Sequence, residues 1–138
     1  MKKILVADDE ERMRRLVCDF LKREGYQTTE ASNGREALAA IEADPAICLV
    51  ILDVMMPEYD GWAVCREIRK NSALPVIMLT ARGEETDELF GFELGADEYI
   101  SKPFSPQILV ARVNALLRRV NAGGHILQSW PGLEIDTD

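Results

Sequence analysis

Four short strand-like runs in this 138-residue chain end in residues able to do chemistry. Asp8 and Asp9, with Glu10 beside them, follow residues 3–7. Asp53 follows 48–52, Thr80 follows 75–79, and Lys102 follows 98–101. Carboxylates held close together repel, which raises their pKa unless a cation sits among them. A hard divalent ion meets that need, and Mg2+ suits one or two carboxylates completed by waters and a phosphate oxygen. Lys102 would supply a second positive charge beside any anionic group added to Asp53. Three carboxylates, one hydroxyl and one ammonium are the parts of a phosphoryl-transfer site with an aspartate as nucleophile. Each part also has a plainer explanation. Asp8, Asp9 and Glu10 could cap and charge-stabilise a following helix. Asp53 could be a loop residue, Thr80 a strand-end hydroxyl and Lys102 a solvated surface cation. The chemical reading gains because all of them fall at the same ends of their strands.

The elements that must position these residues alternate strictly. Strands are expected at 3–7, 27–31, 48–52, 75–79 and 98–101. The run 48–52 is apolar throughout, as in a strand covered on both faces. Helical spacing places Met13, Leu16, Val17, Phe20 and Leu21 on one face of a first helix over 11–24, closed by Gly25. Asn33-Gly34 turns the chain into a second helix carrying Ala37, Leu38 and Ile41. Gly61 opens a third with Trp62, Cys65 and Ile68. Residues 84–94 form the least regular expected helix, their apolar residues making no clean stripe. Pro106 suits the first turn of a fifth helix with Leu109, Val113, Leu116 and Val120 on one face. Such βα alternation predicts a doubly wound, flavodoxin-like α/β fold: a five-stranded parallel sheet with five helices on its two faces. In such sheets ligands bind outside the carboxyl ends of the strands, where the residues named above collect.

Composition narrows the function. With 47% hydrophobic residues the chain is long enough for one core. No run of about 18 or more apolar residues is present, so no membrane span is expected. The apolar start is too short for a signal peptide. Cys18, Cys48 and Cys65 lack metal-ligand spacing and read as free, buried thiols of a reducing compartment, which points to the cytoplasm. A net charge of −8 argues against nucleic acid as a partner of this chain alone. The basic pair Arg118-Arg119 reads as cations at a helix C-terminus. The single histidine, His125, lies near the end, so a Ser-His-Asp or Cys-His relay lacks its base.

The ordered motifs resemble the receiver domain of bacterial two-component response regulators (CheY-like) over residues 2 to about 120. They are Ile4-Leu5-Val6-Ala7-Asp8-Asp9-Glu10, Leu52-Asp53-Val54-Met55-Met56-Pro57, Asp60-Gly61, Pro75-Val76-Ile77-Met78-Leu79-Thr80-Ala81, and Gly95-Ala96-Asp97-Glu98-Tyr99-Ile100-Ser101-Lys102-Pro103-Phe104. The resemblance implies strand order 2-1-3-4-5 and a phosphoryl group accepted on Asp53 from a sensor histidine kinase. The chain would catalyse only its own phosphorylation and dephosphorylation. Asp9 and Asp53 would ligate Mg2+, with Mn2+ or Ca2+ as substitutes. Asp8 would act mainly through a metal-bound water, and the Met55 backbone carbonyl would complete the protein ligands. Lys102 would pair with the phosphoryl oxygens, Thr80 would swing in to bond them, and Tyr99 would follow inward. The Lys102–Pro103 bond would be cis.

Residues 102–119 further resemble the OmpR/PhoB subfamily, which joins a receiver to a winged-helix DNA-binding domain. Active members pair as homodimers through the fourth helix, fifth strand and fifth helix, and Asp97, Glu98 and Arg112 fit that pattern. Glu88 and Ile108 depart from it, removing both halves of one expected ion pair. On this reading residues 1–120 are the receiver, and 121–138 are a flexible linker plus the start of a missing DNA-binding domain. DNA would then be contacted only through that domain, and no membrane is involved. The alternative is a stand-alone receiver with a short tail. Rival classes fit less well. A haloacid-dehalogenase-type phosphatase needs an acid two residues after its nucleophile, where Met55 stands. A flavin carrier needs a phosphate loop that is absent after the first strand. A receiver that is never phosphorylated would not need the full acidic set with Lys102.

Overall fold

A computed structural model describes residues 2–81, 96–102 and 104–123. The described chain contains β1 (Lys3–Ala7), α1 (Glu11–Arg23), β2 (Gln27–Ala31), α2 (Gly34–Ala43) and β3 (Ile47–Asp53). These are followed by α3 (Gly61–Asn71), β4 (Val76–Ala81), β5 (Glu98–Lys102) and α4 (Pro106–Gly123). All neighbouring strands pair in parallel, in the order β2-β1-β3-β4-β5. This is the expected doubly wound sheet. The helix expected over 84–94 and the Lys102–Pro103 bond lie outside the described residues, as does everything after Gly123.

The strand periodicity of two divides the core. Leu5, Ala7, Val50, Leu52, Val76 and Met78 face one side, where Ala37 of α2 and Val64, Cys65 and Ile68 of α3 cover them. Ile4, Val6, Leu49, Ile51, Ile77 and Leu79 face the other, under Val17, Cys18 and Leu21 of α1 and Leu109, Val113 and Leu116 of α4. Both faces of β3 are therefore buried, which is why its sequence reads as unbroken apolar rather than alternating.

The helix ends follow local chemistry. Glu24 and Gly25 return their N–H groups to Leu21 and Lys22 carbonyls, and Gly25 takes φ 93°, closing α1 as expected. Asn33 caps α2 by accepting from the Glu36 N–H at 2.9 Å, and Asp60 caps α3 through the Ala63 N–H at 2.9 Å. Three expectations need correction. Residues 121–123, expected as linker, continue α4, since nothing before Gly123 in this stretch stops a helix. Arg118 and Arg119 consequently sit inside the helix rather than in its last turn. Cys48 is half-buried, whereas Cys18 and Cys65 are buried; all three are free thiols. Among the described residues, no helix is long and apolar enough to cross a membrane.

Candidate functional site

The sheet order reverses between β1 and β3, and both strands deliver a carboxylate to the same rim. Asp8 follows β1 and is fully buried, while Asp53 is the last residue of β3 and 5% exposed. Register carries the next members to the same edge. Asp53 stands beside Leu79 of β4, so Thr80 lies one step beyond it, and Ala81 pairs with Lys102 of β5. Lys102 Nζ reaches between the two carboxylates, 3.3 Å from Asp53 Oδ2 and 3.5 Å from Asp8 Oδ2. Asp9, exposed at the mouth, completes a group of three carboxylates whose oxygens lie within 4.8 Å of one another.

The electrostatics are unbalanced. Burial and the neighbouring Asp8 charge push the Asp53 carboxyl up to about 6, against the opposing pull of Lys102 and the Met55 N–H. Burial also penalises the Lys102 ammonium, but Asp53 and Asp8 outweigh it and hold its pKa above the ordinary lysine value. One ammonium is thus shared by two buried carboxylates, with Asp9 close by as the third acid of the group.

Hydrogen bonds show where a further cation fits. Asp53 Oδ1 accepts from the Met55 N–H at 3.2 Å, and Asp8 Oδ1 accepts from the Glu10 N–H at 2.9 Å. Asp8 Oδ2 is buried and accepts no hydrogen bond among the described residues, its contact with Lys102 at 3.5 Å being an ion pair. A buried carboxylate oxygen without a donor is costly. Here it faces two other carboxylates, an all-oxygen donor set that suits a hard divalent ion. The cluster of Asp8, Asp9 and Asp53 is consistent with an Mg2+ site, which these residues could hold. The plain capping reading of the acidic run is not realised, since Glu10 stands at the N-cap of α1 without a side-chain cap bond.

Thr80 is 2% exposed, and its Oγ1 makes no hydrogen bond among the described residues. Tyr99 is already buried, its ring tilted 44° against Trp62 at a centroid distance of 6.2 Å. Trp62 had registered in the sequence only as a helix marker. Met55 lies at the mouth with a side chain 72% exposed. The three dimer-face candidates are not gathered at the acidic cluster. Arg112 pairs with Glu98 at 2.7 Å, and Asp97 binds Arg69 and the Val76 N–H, each at 2.9 Å. Sequence reasoning assigned no role to the end of β2, yet Glu30 there binds Arg14 of α1 at 2.7 Å, and Arg14 in turn donates to the Asp8 carbonyl at 2.9 Å.

Fold and site define a rim of clustered carboxylates and one lysine on a flavodoxin-like sheet, and comparison with known proteins identifies the family. Residues 4–114 match the family described as the response regulator receiver domain, and the chain belongs to that family. It is 52% identical over 130 residues to the transcriptional regulatory protein ResD of Bacillus subtilis, covering 94% of this chain and 53% of ResD. Identity to the transcriptional regulatory protein SrrA of Staphylococcus aureus is 50%, covering 98% of this chain and 59% of SrrA. The chain thus spans little more than half the length of these relatives. Among solved structures, the receiver domain of the Francisella response regulator 1452 superposes with a TM-score of 0.82 at 36% identity, covering 87% of this chain and 99% of that one. A two-component response regulator from Clostridium difficile gives 0.83 at 31%, covering 88% and 99%.

Proposed function

We propose that this chain is a phosphoacceptor that takes a phosphoryl group on Asp53 from a sensor histidine kinase. One observation carries the proposal: Lys102 lies between two buried carboxylates, one of which keeps an oxygen without a donor. In the transfer, a carboxylate oxygen of Asp53 forms a bond to phosphorus as the P–N bond to the kinase histidine breaks, and the imidazole recovers its electron pair. Bound Mg2+ would supply charge neutralisation for the transferring group, which is the main catalytic need of phosphoryl transfer. Asp9, Asp53 and the Met55 backbone carbonyl would ligate the ion, and Asp8 would act mainly through a metal-bound water. Lys102 stays paired with the added oxygens. The chain acts on no other substrate and turns over only its own phosphate.

The aspartyl phosphate adds about 1.5 to 2 negative charges and three acceptor oxygens at the rim. The Thr80 hydroxyl has no hydrogen-bond partner among the described residues and would meet them, and Tyr99 lies on the adjacent strand. We assign these two residues the switch that alters the face of β5 and α4, promoting homodimerisation. In the longer protein a C-terminal DNA-binding domain would then control transcription, a role consistent with the names of the two bacterial relatives. Three cysteines outside any disulfide support a cytoplasmic setting.

Beryllofluoride, a stable stand-in for an aspartyl phosphate, tests the reading. With Mg2+ the unaltered chain should bind it, while Asp53→Ala and Asp9→Ala should not. Binding that survives Asp53→Ala would overturn the assignment.

A further inference from the structure

Asp8 is held on every side but one. Its N–H donates to the Ala31 carbonyl of β2 at 3.1 Å, and its Oδ1 accepts from the Glu10 N–H at 2.9 Å. Its carbonyl accepts from Arg14 at 2.9 Å, leaving only Oδ2 to face Lys102, Asp53 and Asp9. Asp8 lies before Glu10, the N-cap of α1, and among the described residues no backbone N–H donates to its carbonyl. The guanidinium therefore reaches back to it. Arg14 is itself aimed by Glu30, whose Oε1 accepts from Nε at 2.7 Å; the Arg14 side chain is 14% exposed and that of Glu30 39%.

We infer that Arg14, held by Glu30, is a positioning residue for the acidic rim: it fixes the plane of the Asp8–Asp9 peptide and so the direction in which both carboxylates leave the backbone. This inference rests on the metal-dependent reading of the rim given above. The planar guanidinium donates along two edges at once, Nε to Glu30 and one terminal nitrogen to Asp8, which a lysine ammonium on a flexible stem does not reproduce. Groups that orient a metal ligand without touching the metal commonly govern affinity by about 10- to 100-fold.

Charge alone predicts the opposite sign. Arg14 is a cation close to a cation site, so its removal should tighten Mg2+ binding if it acts only through its field. Positioning predicts weakening. Calorimetric titration of the 138-residue chain with Mg2+ separates the two, with circular dichroism establishing that each metal-free variant is folded at the working temperature. Arg14→Ala should bind about tenfold more weakly, and Arg14→Lys should recover part of the loss. Glu30→Ala, which frees the guanidinium, should weaken binding in the same direction, and the double variant should bind no worse than Arg14→Ala. Affinity unchanged or tightened in Arg14→Ala would overturn the inference. Should that variant not fold, Glu30→Ala carries the test, and an unchanged affinity there overturns it equally. An unaltered chain that binds no Mg2+ would instead refute the reading of the rim on which the inference stands.

Discussion

Asp53 keeps its proton to about pH 6 because burial and Asp8 both oppose its charge, and Lys102 offsets only part of that cost. Its ordinary value is 3.8. A carboxyl whose pKa is raised by folding binds its proton more tightly in the native state, so stability is greatest at low pH and falls as pH rises through the folded value. Metal-free protein should accordingly lose stability between about pH 4 and 6 relative to Asp53→Asn, by up to about 3 kcal/mol. Urea denaturation across this range checks it; parallel stabilities at all pH values would contradict it. Mg2+ should reverse the ranking by binding the native acidic rim in preference to the variant. On the proposed function, Met55 would tune a different property, the loss of the phosphate. Its exposed side chain offers no group to orient an attacking water, so the phosphorylated chain should persist for minutes or longer. Met55→Asn should shorten that lifetime severalfold, as followed by phosphate release.

The loop 54–60 between β3 and α3 is fixed by close backbone approach. A Cβ on Gly34 would lie 1.9 Å from the Tyr59 carbonyl oxygen, and one on Gly61 would lie 2.7 Å from the Asp53 carbonyl oxygen. Glu58 and Tyr59 adopt φ 49° and 86°, a region costly for residues with side chains. Gly34→Ala must therefore displace the loop that follows Asp53, at a cost of about 1–3 kcal/mol, which thermal denaturation would measure. An undisturbed melting temperature would contradict this contact. The sequence carried Asn33-Gly34 as a turn signal, but its partner Tyr59, 25 residues on, could not be read locally. The same divide runs through the site. β3 was legible because a strand buried on both faces must be apolar throughout, and the rim was legible because four of the five strands lead into a candidate residue. The bridge from Glu30 through Arg14 to Asp8 was not. It depends on the β1–β2 register and on where α1 sits above it, neither of which leaves a periodic trace. The end of α4 was misjudged because Asn-Ala-Gly has a linker's composition, while a helix already established to Val120 extends readily through alanine.

At the scale of the molecule, the face of β5 and α4 presents the Glu98–Arg112 pair inside one chain, beside Ile108, which is 50% exposed. A cross-subunit pairing must exchange this internal bond for an external one. Exposed pairs contribute only about 0–1 kcal/mol, so the dimer should be weak and should rely on apolar contact. In sedimentation experiments the chain with Mg2+ and beryllofluoride should dimerise, and Arg112→Ala should weaken that dimer severalfold. A mimic-bound chain that stays monomeric at high concentration would count against this face. On the proposed function, the dimer and the lifetime of the phosphate both begin with one covalent event on Asp53. The direct measurement is the intact mass of the chain after incubation with Mg2+ and acetyl phosphate. The account predicts the gain of one phosphoryl group, lost when Asp53 is changed to Ala and when Mg2+ is chelated. An unchanged mass, or a phosphoryl group that Asp53→Ala still acquires, would contradict it.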